Sequence, residues 1–174
     1  MNEKENAEER SRNYKLLSIG FSYPGTQLEE AFELGLAKEL ESDYVALFDG
    51  GQPGLFKSPY EGLWDSQKKR GELLHEVLMF YKHFGLEIGN ELPDHAALEL
   101  EFMHFLTFKE AEARNDSKDF TPYLKAQEDF FTRHLNNWLP DFCESLIKVS
   151  PNPFYRKLGE ITIEFLCSEN EYLK

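Results

Sequence analysis

Glu91-Leu92-Pro93-Asp94-His95-Ala96-Ala97-Leu98-Glu99-Leu100-Glu101-Phe102-Met103 carries a helix-start signal straight into a dense apolar run. Proline is tolerated at the first position of a helix. A carboxylate one residue on sits favourably against the unpaired N–H groups and the positive end of the helix dipole. The stretch therefore predicts a helix from Pro93 to about Arg114, with Asp94 and His95 projecting from its N-terminus. Ala96, Leu100 and Met103 form one apolar stripe of that helix and Leu98, Phe102 and Phe105 another, the pattern of a central helix with neighbours on more than one side. The Asp-His pair itself stays open between chemistry, ligand binding and capping.

Outward from this stretch, helical periodicity dominates and strand signals are scarce. A first helix fits about Ala7 to Phe21 and is stopped by Tyr23-Pro24-Gly25. Thr26 caps a second helical region through Phe48, either one helix or two broken near Gly35. A third spans about Trp64 to Phe84 and ends at Gly85. Thr121-Pro122 opens a helix through Trp138, Leu139-Pro140 another to about Val149, and Pro153 the last, to about Leu166. The expected fold is all-α: one domain over residues 1–174, a bundle of about six to eight helices. Asp49 to Gly62 is rich in turn formers and reads as an ordered loop with aromatic anchors, the loop best suited to carry function. Its Gly50-Gly51 pair lacks the Gly-x-x-x-x-Gly-Lys-Ser/Thr spacing of a phosphate loop.

Composition excludes several classes of function. A chain of 174 residues with 41% hydrophobic residues and fifteen Phe has the material for one packed core. Its net charge of −13, from 32 acidic against 19 basic residues, argues against a nucleic-acid partner, which needs basic surface to displace counterions. Seven acidic residues between Gln27 and Asp49 face one base, Lys38, so this region suits a cationic partner. No apolar stretch approaches the roughly 20 residues that span a bilayer. Met1 to Arg10 has no apolar leader core, so a cytoplasmic protein without membrane insertion is expected. Cys143 and Cys167 show neither metal nor disulfide spacing and read as buried reduced thiols. No cofactor, metal or catalytic triad is expected. The rival reading is a metal-dependent hydrolase using Asp94, His95 and Glu99, because His95 and Glu99 stand four apart on one helical face. Against it, His-Glu-x-x-His is missing and His104 lies about 180° from His95 around the helix.

Asn90-Glu91-Leu92-Pro93-Asp94-His95, followed by Leu98, Glu99, Phe102, Met103 and Leu106, resembles the signature of the TorD/DmsD/NarJ family of redox-enzyme maturation chaperones. Three further pieces fall in the family's order. They are Leu47-Phe48 before a Gly/Pro loop, Ser58-Pro59-Tyr60-Glu61 with Trp64, and Trp138-Leu139-Pro140 with Phe142, Phe154-Tyr155 and Leu158. The resemblance covers essentially the whole chain. It implies a TorD-like, all-helical cytoplasmic chaperone of anaerobic respiration, not an enzyme. Such a chaperone binds the apo catalytic subunit of a molybdenum-cofactor oxidoreductase, its twin-arginine signal peptide, or both, assisting cofactor insertion and delaying export. A monomer or a helix-swapped dimer fits the family. Carried over residue by residue, Asp94 and His95 match its Asp-His pair, Tyr60 and Trp64 its loop aromatics at the edge of a peptide site, and Glu61 is an additional anion. Each also has a purely structural reading: Asp94 as a cap, His95 as a loop tie, Tyr60 and Trp64 as packing.

Overall fold

A computed structural model of the chain describes residues 3–33, 37–50, 53–66, 68–89 and 91–174. Gly35, Gly51 and Asn90, used above for a helix break, a loop and a signature, lie outside the described residues. Among the described residues, eight α-helical segments follow one another: α1 Glu3–Phe21, α2 Thr26–Phe32, α3 Ala37–Phe48, α4 Arg70–His83, α5 Ala96–Asn115, α6 Thr121–Phe130, α7 Asn136–Val149 and α8 Pro153–Tyr172. A 3-10 turn at Glu61–Leu63 precedes α4, and a π turn at Phe131–Leu135 carries α6 on into α7. The described residues form helices and loops, with a single isolated β-bridge.

Helix α5 is central, with α1 and α6 packed along it and α7 paired with α8. One hydrophobic core takes side chains from all eight helices, among them Phe21, Leu28, Leu47, Val77, Met103, Phe130, Trp138 and Tyr155. A buried ionic network crosses this core. The Arg10 guanidinium donates to Glu169 at 2.7 and 2.8 Å and to Gln127 at 2.7 Å, while Gln127 donates to Glu110 at 2.9 Å and the Tyr14 hydroxyl to Glu169 at 2.8 Å. Four helices are thereby joined through groups that solvent does not reach. Gly159 allows α8 to close on α7, because a Cβ there would lie 3.0 Å from the Ile147 side chain and 3.3 Å from the Cys143 carbonyl.

Several boundaries differ from the sequence expectation, each for a local reason. Helix α5 begins at Ala96 and not at Pro93, since His95 is its extended N-cap (φ −79°, ψ 137°) and Pro93 and Asp94 precede the helix. Helix α4 begins at Arg70 and not at Trp64: the Trp64 indole N–H donates to the Ser58 carbonyl at 2.8 Å, which ties that ring to the loop, and Lys69 is extended. Pro140 does not start a helix. It sits within α7, where its missing N–H leaves only the Asn136 carbonyl of the first turn without its usual donor. Helix α8 continues past Leu166 to Tyr172 because Glu169 in its last turns faces inward to Arg10. The region after Thr26 is two helices, α2 ending at Glu33 in the left-handed conformation (φ 51°). Gly85, with φ +72°, stops α4 as its position suggests. Cys143 is buried, whereas Cys167 is exposed because it lies on the outward side of α8 beside the inward Leu166. No helix among the described residues is long and apolar enough to cross a membrane.

Candidate functional site

Two segments distant in sequence meet at the start of α5. Tyr60 and His95 form an antiparallel bridge, with the Glu61 N–H donating to the Asp94 carbonyl at 2.9 Å and the Ala96 N–H to the Pro59 carbonyl at 2.8 Å. Extended backbone sends successive side chains to opposite faces, so the bridge sorts the four candidate residues in pairs. Tyr60 and His95 share one face, their rings edge to face with centroids 5.0 Å apart. Glu61 and Asp94 share the other and are both 0% exposed.

Asp94 does not cap α5. Its Oδ2 accepts the Gly62 N–H at 3.0 Å and lies 3.6 Å from the Arg70 guanidinium, so it fastens the 3-10 turn to the segment before α5. Burial raises its pKa, against the opposing pull of the Gly62 N–H and Arg70. His95 caps the helix itself: Nδ1 accepts the Ala97 N–H at 3.1 Å, which leaves the ring proton on Nε2. Burial pushes the His95 pKa down to about 4, so the ring is neutral near pH 7. Glu61, expected as an anion facing a ligand, instead holds the buried His134, whose Nδ1 stands 3.1 Å from each carboxylate oxygen. Trp64 stands apart from Tyr60. It packs edge-on to Phe142 at 5.9 Å and borders a separate polar depression with Lys68, Glu76 and Arg133.

The outward face of the bridge opens onto a groove of about 570 Å³ between α1, α3 and α5. Its walls are aromatic: Tyr60 and His95 on one side, Tyr23 and Tyr44 on the other, the latter two edge to face at 5.3 Å. Leu92 and Leu98 add apolar surface and Glu91 a carboxylate, while Lys15 donates to both oxygens of Glu101 at 2.7 and 2.8 Å and neutralises it. The local field is negative. The Tyr44 hydroxyl is pushed up by burial and then by Asp49, Tyr60 and Glu91, and that of Tyr60 by burial and then by Asp94, Asp49 and Glu91.

Sequence reasoning missed Tyr23, Tyr44 and Leu92. Tyr23 is 56% exposed just beyond α1, and an aromatic stranded at a helix stop was the one available signal. The residues of the hydrolase reading do not converge: His95 faces outward, Asp94 inward, and Glu99 accepts the Trp138 indole N–H at 3.0 Å in the interior. Among the described residues, no group of three or more His, Cys, Asp or Glu could hold a metal ion.

Residues 16–144 match the family described as nitrate reductase delta subunit. The perchlorate reductase assembly chaperone protein of Dechloromonas aromatica (strain RCB) is 35% identical over 75% of this chain and 75% of its own. The chlorate reductase assembly chaperone protein of Ideonella dechloratans is 34% identical over 82% of this chain and 79% of its own. A crystal structure described as that of a redox enzyme maturation protein from Archaeoglobus fulgidus has the same fold. Its TM-score is 0.61 at 22% identity, covering 90% of this chain and 93% of that one. With most of its length matched in sequence and nearly all of it in fold, the chain belongs to the nitrate reductase delta subunit family, the TorD/NarJ family of redox enzyme maturation proteins.

Proposed function

We propose that the chain is an assembly chaperone for the catalytic subunit of a molybdenum-cofactor oxidoreductase, and that it takes a basic segment of that client, such as a twin-arginine leader, in the Tyr60–His95 groove. The function is binding, not catalysis. Relatives named for the assembly of reductases support the client class. The observation that carries the site is the groove itself: two aromatic pairs facing each other in a negative field on a chain of net charge −13. A guanidinium is attracted to aromatic faces and to carboxylates, and a neutral His95 adds no opposing charge. Leu92 and Leu98 offer contact to the apolar stretch that follows the arginines of such a leader. Asp94 and Glu61 act from beneath, holding the Tyr60 turn in place. The chaperone works in the cytoplasm and keeps its client from export until the cofactor is in.

Calorimetry with the leader peptide of a candidate client tests this. We expect a Kd of about 1 μM or tighter, about −8 kcal/mol, weakened by added salt and by Tyr60→Ala or Glu91→Gln. No heat from the peptide alongside binding of the complete apo-subunit moves recognition to the folded client and sinks the leader reading.

A further inference from the structure

Directly beneath the groove, Glu61, Asp94 and Glu99 are all 0% exposed. Glu61 receives the Nδ1–H of His134 between its two oxygens. Glu99 accepts the Trp138 indole N–H on Oε2, and its side chain meets the Glu61 carboxyl. Its Oε1 is reached by no donor. Two carboxyls in hydrogen-bond contact hold one proton between them, because a pair of ionised oxygens would repel. An acid oxygen that abuts a carboxylate and receives no donor is the one that carries that proton. Glu99 therefore donates to Glu61, which also faces the His134 Nδ1.

The other charged and titratable groups facing this pair come from α4 and from the segment before α5. The His134 Nε2 lies 3.5 Å from Glu76, Arg70 lies 3.6 Å from Asp94, and the Tyr81 hydroxyl donates to the Pro93 carbonyl at 2.8 Å. Arg70 sits on the Asp94 side and His134 is already engaged by Glu61, so neither offsets a charge on Glu99. Burial and the neighbouring Glu61 both raise the Glu99 pKa above that of an ordinary glutamate. Glu61 belongs to the same turn as Tyr60, and its N–H makes a bridge bond to Asp94. What happens at its carboxyl is thus transmitted to the wall of the groove.

We propose that Glu61 and Glu99 form a proton-controlled latch on the turn from Tyr60 to Trp64: with one proton shared, the turn is held down and Tyr60 stays against His95. Release of that proton to solvent puts two charges side by side in the interior, frees the turn and opens the groove. That this regulates client binding rests on the groove being the client site. The latch itself does not, and it is measured on the free chain.

Hydrogen exchange at the Glu61, Gly62 and Ala96 amides from pH 5.5 to 8.5, corrected for the intrinsic rates, reads the latch. Glu99→Gln keeps an acceptor for Trp138 and a donor for Glu61, so it mimics the protonated state at every pH. In the wild type, opening should rise with pH, by up to about tenfold per unit, while the closed pair keeps its proton and the open one does not, and level off once the closed pair has lost it; in Glu99→Gln it should stay flat. Parallel wild-type and variant profiles overturn the proposal. Tryptophan emission of the unsubstituted chain provides a second measurement that does not depend on a variant folding: Trp138 reports Glu99 through its hydrogen bond, and Trp64 reports the turn on which it sits. An inflection above the ordinary carboxylate range is expected, and its absence refutes the latch. An arginine-pair peptide added at each pH separates the two ideas. Failure to bind at any pH sinks the groove reading while leaving the exchange result to judge the latch.

Discussion

Replacing Asp94 distinguishes a residue that touches a ligand from one that holds the ligand-bearing turn. In Asp94→Ala, the Gly62 N–H loses its 3.0 Å acceptor in a partly buried site, a loss of about 1–3 kcal/mol. The 3.6 Å pair with Arg70 also goes; with Arg70 37% exposed it adds only about 0–1 kcal/mol. A total of about 1–4 kcal/mol at about 2–4 °C per kcal/mol for a chain of this size lowers Tm by roughly 2–16 °C. Asp94→Asn keeps an acceptor for Gly62 and sheds a charge whose dominant perturbation is burial, so its Tm should stay within about 3 °C of wild type. Melting followed by circular dichroism, paired with calorimetry on a leader peptide, separates the roles. A positioning Asp94 predicts near-normal peptide affinity in Asp94→Asn and weakened affinity in Asp94→Ala. A directly contacting carboxylate would lose a charge-assisted bond of about 1.5–3 kcal/mol, making Asp94→Asn roughly 10- to 100-fold weaker at unchanged Tm. That second pattern would refute the geometry argued here.

His95 gives a pH signature of definite sign. Because burial disfavours its imidazolium, the folded chain binds that proton less tightly than the unfolded one. Its contribution to stability is whole above the free-histidine value of 6.5 and is lost as pH falls toward about 4, at about 1.4 kcal/mol per pH unit. Urea unfolding at pH 7, 6 and 5 should show a shallower loss for His95→Asn, which keeps a cap acceptor for Ala97 but cannot ionise. Arg10→Ala leaves Glu169 buried without its cation, while Glu110 keeps Arg114 at 2.8 Å; the urea midpoint should fall by the equivalent of about 3–5 kcal/mol. Gly159→Ala forces a methyl against the Cys143 carbonyl at the α7–α8 contact and should cost about 1–3 kcal/mol. Gly71→Ala, with open space around it in α4, should instead gain about 0.4–1 kcal/mol by the same assay.

Local rules found the helices well and their ends less well. The apolar stripes of Leu100, Met103 and Phe102 mark α5 as central because burial on several sides leaves a periodic trace. Its start was misplaced because a proline rule does not foresee that the His95 ring, held neutral, can itself accept the Ala97 N–H. Pro140 reads as a helix start from sequence, yet a proline in the first turns of α7 forfeits little, and the π turn before it leaves no compositional mark. The polar end of α8 looked like a terminus because a glutamate that pairs with a buried arginine 159 residues away is indistinguishable, locally, from one that faces water.

The candidate site shows the same division more sharply, since facing is decided by a non-local bridge. Sequence resemblance picked out Tyr60, Trp64, Asp94 and His95, with Glu61 as an added anion; Trp64 stands apart and the other four meet at one bridge, but the sequence could not say which pair meets solvent. That follows from register alone. A slip of one residue that paired Glu61 with His95 would turn the Tyr60 ring inward beside Asp94 and set Glu61 beside His95 in the groove. Two contacts pin the observed register: the Gly62 N–H reaches Asp94 Oδ2, where a side chain at position 62 would crowd the same oxygen at 3.1 Å, and Glu61 reaches His134. The acids therefore act on the groove through the bridge. Burying them ties the Tyr60–His95 wall to the interior and leaves Glu91 and the Lys15-paired Glu101 as the carboxylates that line the groove.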